Sequence, residues 1–162
     1  MSDEGREQDR IPAEYLIEIG RVTVEWATLE SALDLGLIKL AGMSLEDSRA
    51  LSIFAHMSFP LKLDVFGSLV TELQPKYPNL KDLQTIVRQL KKAQDGRNAI
   101  IHAKWGFENG QVQIARMTAR GHIKTSIRPI PLDEIQGITK QINETTKAVF
   151  RFVTSGHKNP AY

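Results

Sequence analysis

The chain has 162 residues, 41% of them hydrophobic, which is enough for one ordinary domain around a single buried core. It contains no cysteine, so disulfides and thiolate metal sites are excluded and a reducing compartment is the natural setting. The net charge of +2 is too small to imply a nucleic-acid partner. No apolar leader opens the sequence and no run nears the ~18 apolar residues of a membrane span, so a soluble, cytoplasmic protein without membrane attachment is expected.

The charges are unevenly placed. Residues 1–30 carry eight acids and three bases, residues 81–104 six bases and two acids, and residues 111–128 four bases and no acid. Such asymmetry either packs an acidic helix beside a basic one or creates a positive face for phosphate.

Residues 1–11 read as a flexible lead. Pro12 suits the first turn of a helix, and behind it Tyr15, Ile19, Val22, Trp26, Leu29, Leu33, Leu37 and Leu40 follow a 3.6-residue period to about Gly42. Leu35 and Ile38 add a second apolar face near its end, fitting a central helix or an oligomer contact. Ser44-Leu-Glu-Asp47 reads as an N-cap opening a short helix to about Met57. A third helix carries Leu61, Val65, Phe66, Leu69, Val70 and Leu73. A fourth, from Pro78-Asn79, carries Leu80, Leu83, Ile86, Val87, Leu90, Ala93, Ile100 and Ile101, with a kink expected at Gly96.

The period then changes from 3.6 to 2. Trp105 and Phe107 alternate, Asn109-Gly110 supplies a type I′ turn, and Phe107 is expected opposite Val112, Trp105 opposite Ile114. Ala119-Arg-Gly121 forms a second turn into Ile123, Thr125 and Ile127, whose other face shows Lys124, Ser126 and Arg128. Pro129-Ile-Pro-Leu-Asp-Glu134 opens a last helix with Leu132, Ile135, Ile138, Ile142, Val149, Phe152 and Val153 inside. The expected fold is mainly α: about five helices in one domain over residues 12–153, a three-stranded insertion at about 105–128 before the last helix, and a flexible tail at 154–162.

There is no Gly-rich phosphate loop, no His-Glu-x-x-His pair and no Gly-x-Ser-x-Gly elbow, and the four histidines are scattered. No metal site or cofactor is expected. The chemistry concentrates in Arg97-Asn-Ala-Ile-Ile-His102, where a guanidinium suited to phosphate and an imidazole that exchanges protons near neutral pH stand within two helical turns. Those groups suffice for metal-independent RNA cleavage. On a helix Asn98 and His102 are i,i+4 neighbours, with Arg97 about 100° around the axis from Asn98.

This stretch resembles the signature of the HEPN family: Arg, a polar residue, four to six positions in all, then His, late in a helical bundle. Trp26, Glu30, Lys62 and Trp105 also look like the bacterial branch of that family. The resemblance implies a homodimer whose two motifs form one composite ribonuclease site, often in toxins or defence effectors held by a cognate antitoxin or regulatory protein. It implies catalytic roles for Arg97, Asn98 and His102, with Glu30 and Lys62 in support. Three further Arg/His pairs share the spacing (Arg49–His56, Arg116–His122, Arg151–His157), but only Arg97 is followed by an amide and ends a long helix. Lys124, Arg128 and Arg116 are the expected RNA-binding residues. The alternative is a non-catalytic module on the same bundle, binding a partner protein or nucleotide, with Arg97 paired to Glu30 or another acid of the first helix.

Overall fold

The structure is a computed structural model that describes residues 10–155, except for the side chains at 79, 118–120 and 122–123. The expected lead and tail therefore fall almost wholly outside the described residues. The chain order is α1 (Ala13–Leu40), α2 (Ser48–Phe54), α3 (Phe59–Leu73), a 3-10 turn (Pro78–Asp82), α4 (Leu83–Ile101), β1 (Lys104–Glu108), β2 (Gln111–Arg120), β3 (His122–Pro129) and α5 (Leu132–Thr154). The expected mainly-α bundle, with a three-stranded antiparallel sheet before its last helix, is what forms.

The 28-residue α1 is the axis of the bundle, and its longest contact is with α5. Leu29, Leu33 and Leu37 of α1 lie in the core with Phe66 of α3, Leu90 and Ile100 of α4, Ile114 of β2, and Ile135 and Ile142 of α5. All are essentially without solvent contact, and truncating such residues to Ala costs about 2–5 kcal/mol each. Of the second apolar face of α1, Ile38 is fully buried in the core, whereas Leu35 is half-buried. Polar contacts tie α1 to α5 and to the segment that leads into it. The Tyr15 hydroxyl donates to the Ile130 carbonyl (3.2 Å), Thr139 donates to Glu18 (2.7 Å) and Asn143 to Glu25 (3.1 Å). At the far end Lys39 Nζ donates to the carbonyls of Phe152, Val153 and Ser155 at 2.7–2.8 Å, satisfying oxygens that a helix end leaves open. Burial holds the Lys39 ammonium below its ordinary pKa.

Three local details differ from the sequence reading. The cap of α2 is Asp47, which accepts from the Arg49 N–H, whereas Ser44 serves the turn before it. Gly96 does not break α4. A Cβ there would sit 3.3 Å from both Ile138 Cγ1 and Cγ2, so the glycine lets α4 lie close against α5. The third concerns the sheet.

Asn109 and Gly110 both have positive φ (50° and 75°), as a type I′ turn requires, and the pairing is as expected: Phe107 opposite Val112, Trp105 opposite Ile114. The second turn centres on Gly121 alone (φ 78°), which pairs even-numbered residues of β2 with even-numbered residues of β3. Arg128 therefore stands opposite Ile114 and Ser126 opposite Arg116, on the core-facing side of the sheet where it runs past the helices. Ile127 stands opposite Ala115 on the outer side, 65% exposed, and Met117 shares that side at 59%.

Candidate functional site at the end of α4

α4 is helical to Ile101, and His102 caps it with φ −99° and ψ 5°, outside helical geometry. On a regular helix, residues five apart point about 140° away from each other. The turn at His102 and the length of the arginine side chain remove that separation. Arg97 Nη1 lies 3.1 Å from His102 Nε2 and donates to Asn98 Oδ1 at 3.1 Å. Arg97 thus sits between the two residues, in place of the direct Asn98–His102 contact that helical spacing suggests. A guanidinium has only donors, so His102 Nε2 must be the acceptor, and the ring in this arrangement is neutral with its proton on Nδ1.

Below the site, Arg97 Cζ lies over the Trp26 ring, 5.5 Å from its centroid, and Trp26 is held by Phe59 with ring centroids 4.2 Å apart. Trp26 is 7% exposed, so its face is a fixed apolar shelf contributed by α1. Arg97 Nε is buried without a hydrogen-bond partner among the described residues. Trp105 locks the chain as it leaves the helix, its indole N–H donating to the Ile100 carbonyl (3.1 Å). His102 itself is exposed.

No carboxylate among the described residues forms an ion pair with Arg97. Glu30, one turn beyond Trp26, is half-buried and makes neither a hydrogen bond nor an ion pair with any described residue. Lys62 is buried and paired: its Nζ is 2.7 Å from Asp34 Oδ1 and donates to Oδ2 at 3.0 Å. Asp34 is the partner that sequence reasoning did not single out. Of the acids of α1, Glu18, Glu25 and Asp34 are answered by α5, by Lys62 and by the helix's own Arg21, not by the bases of α4.

On the hairpin, Arg116 and Lys124 are exposed and make no ion pair among the described residues. Arg128 is engaged, its two terminal nitrogens holding both oxygens of Glu134, the first at 2.8 Å. Hydrogen bonding to Arg128 holds the Glu134 carboxyl below its ordinary pKa, and the same contact raises Arg128. Of the other Arg/His pairs, Arg49 is bound to Asp47 instead, while His157 and the side chain of His122 lie outside the described residues. Among the described residues no cluster of His, Asp and Glu could hold a metal, and no single helix is long and apolar enough to cross a membrane.

Comparison with family models, with curated proteins and with solved structures gives no match for this chain.

Proposed function

We propose that this protein is a metal-independent endoribonuclease of the HEPN type, cytoplasmic, working as a homodimer in which two Arg97/His102 motifs face each other. The observation that carries the reading is the state of Arg97. It is a half-buried cation stacked on Trp26, with no carboxylate partner among the described residues and with Nη2 bonded to none of them. Such a group is arranged for an anion from outside, and the guanidinium fork matches phosphate.

In the resting geometry Arg97 covers the lone pair of His102 Nε2. A phosphodiester that draws the guanidinium towards itself would free Nε2 to take the proton of the adjacent ribose 2′-hydroxyl. The 2′-oxygen then bonds to phosphorus while the bond to the 5′-oxygen breaks. Arg97 stabilises the charge on the phosphoryl oxygens, and the His102 of the facing copy, acting in its doubly protonated form, gives its Nε2 proton to the leaving 5′-oxygen; the two rings thereby exchange roles, and proton exchange with water resets them. The products are a 2′,3′-cyclic phosphate and a 5′-hydroxyl, with no metal in the balance. Asn98 steadies the guanidinium from its other side. Arg116 and Lys124 extend the positive surface along the RNA, with Arg128 a lesser contributor because Glu134 holds it. A toxin or defence role, with an antitoxin or regulatory protein as partner, is the setting this reading implies.

The test is cleavage of a fluorescent single-stranded RNA in EDTA by wild type, Arg97→Ala and His102→Ala, with folding checked for each. Cleavage by wild type and loss in both folded variants is the expected result. A wild type inert on several RNAs, with both variants less stable, overturns it.

A further inference from the structure

Among the described residues the buried polar side chains are Glu18, Lys62, Gln94, Thr145 and Thr146. All but one are answered. Glu18 accepts from Thr139 and Arg21, Lys62 meets Asp34, and Thr145 and Thr146 donate to carbonyls of their own helix. Gln94 is the exception. It is 7% exposed, and its carboxamide makes no hydrogen bond with any described residue. A glutamine seated this deeply gives up most of its rotamer freedom and hydration and gains no bond from the fold in return. Neither amide atom is sealed from solvent, so an incoming group can reach both.

Gln94 stands one turn before Arg97 and Asn98 on α4, and neighbours three and four apart share a helix face. The turn of α1 that it faces follows from the packing. Phe59 and Lys62 of α3 meet Trp26 and Asp34 of α1, so these two helices run in the same sense. Gly67 and Thr71 of α3 meet Val87 and Gln84 of α4, so those two run in opposite senses. α4 therefore runs against α1. With Arg97 over Trp26, the turn before Arg97 lies alongside the turn after Trp26. That turn carries Glu30, the half-buried carboxylate that has no partner among the described residues.

We propose that Gln94 and Glu30 form a base-recognition subsite beside the phosphate seat of Arg97, and that it selects guanine. This deepens the ribonuclease reading and rests on it for the ligand being RNA. A carboxamide offers one donor group and one acceptor, a carboxylate acceptors only, so acceptors outnumber donors here. The base edge that fits has the opposite balance. On their pairing edges adenine sets one donor beside one acceptor, and cytosine and uracil set one donor among two acceptors. Guanine sets two donors, N1–H and the 2-amino group, beside a single acceptor, O6. Glu30 takes the two donors, and Gln94 Nε2 donates to O6. One helical turn, about 5.4 Å of rise, separates this pair from the guanidinium and suits the step from a phosphate to a neighbouring base.

Binding is the first measurement, on short 2′-fluoro RNAs that lack the reacting hydroxyl and cannot be cleaved. Each is an all-uridine strand with G, A, C or U at its centre, and fluorescence anisotropy reads Kd. Wild type should bind the G strand about tenfold more tightly than the others, or better, the usual worth of one well-made pair of hydrogen bonds to a base. Gln94→Leu and Glu30→Gln should each bring the G strand down towards the level of the others. Gln94→Leu should keep the thermal melt of wild type, since the fold loses no bond. On all-ribose strands kcat/KM should follow the same order of bases. Equal Kd for the four strands, or a preference for G that survives Gln94→Leu, overturns the proposal. G-selective binding without cleavage of ribose strands sinks the ribonuclease reading and leaves the subsite standing, and cleavage without base preference does the reverse.

Discussion

Lys62 and Arg97 are two cations brought against the same helix, and α1 receives them differently. Lys62, from α3, meets the carboxylate of Asp34 and is buried with it. Arg97, from α4, meets the face of Trp26 and no acid among the described residues. A buried ammonium answered by a carboxylate has its charge neutralised where it stands, although here only Oδ2 of Asp34 accepts a hydrogen bond and Oδ1 is held by the ion pair alone. A guanidinium on an aromatic shelf keeps its full charge and its free donors. Among the described residues α1 therefore receives one cation as a buried ion pair at Asp34 and another, eight positions earlier, as a guanidinium over the Trp26 ring.

The sharpest way to break this contrast is to remove each cation in turn. Arg97→Ala should lower RNA cleavage by about 10²–10³-fold, the usual cost of one donor to a charged transition state, while the fold loses no more than the cation–π contact, about 0.5–1 kcal/mol. Lys62→Ala should do the reverse. It strands Asp34 and should destabilise the fold by about 3 kcal/mol in denaturant titration, while cleavage per folded molecule persists. Equal losses of stability in the two variants would remove the distinction. Replacing both Lys62 and Asp34 with apolar residues of similar size should recover most of the lost stability, because no charge is then left alone.

A smaller effect tests the shelf. Trp26→Leu removes a cation–π contact of about 0.5–1 kcal/mol, so KM should rise about two- to fivefold, beyond what reduced stability explains. Trp26→Phe should restore part of it. If both substitutions act only on the melting temperature, Trp26 is a core residue and nothing more.

The smallest effect sharpens the comparison from outside. Arg128 and Glu134 form an exposed pair, 48% and 36% accessible, which such pairs typically reward with about 0.5–1 kcal/mol at most. The Glu134 carboxyl titrates below its ordinary 4.5 in the folded chain. The pair therefore adds stability above that value, and the contribution disappears as pH falls through the lowered folded pKa. An Arg128→Met variant should lack this part of the acid-induced loss in stability curves recorded as pH is lowered through and below the ordinary carboxylate range. Its RNA affinity should fall less than that of Lys124→Ala, whose ammonium is not paired among the described residues.

Much of this molecule can be read from local patterns. The helices follow from apolar periodicity, and the first hairpin follows from Asn109-Gly110, because a two-residue turn fixes both register and facing. The Arg97–Asn98–His102 group is legible for a similar reason: all three residues lie within six positions at a helix end. The face of β3 is not legible in this way. A turn one residue shorter or longer exchanges inside for outside, and nothing local to Ala119-Arg-Gly121 announced a turn centred on Gly121 alone. The Asp34 partner of Lys62 is hidden by 28 residues of separation, and the Trp26 shelf under Arg97 by a crossing of α1 and α4 that periodicity does not encode. What a charged residue meets is set by packing, so the candidate residues were visible but their partners were not.

The Lys39 ammonium at the junction of α1 and α5 has a consequence for how the bundle comes apart. Helix ends ordinarily fray first, since their last carbonyls face water. Here three carbonyl oxygens at the end of α5 are gathered by one side chain from a helix more than a hundred positions earlier. Loosening the last turn of α5 therefore also exposes a cation seated by α1, and the two helix ends open together. The C-terminal turn then behaves as part of the cooperative core, and its backbone amides should exchange with solvent on the time scale of global unfolding.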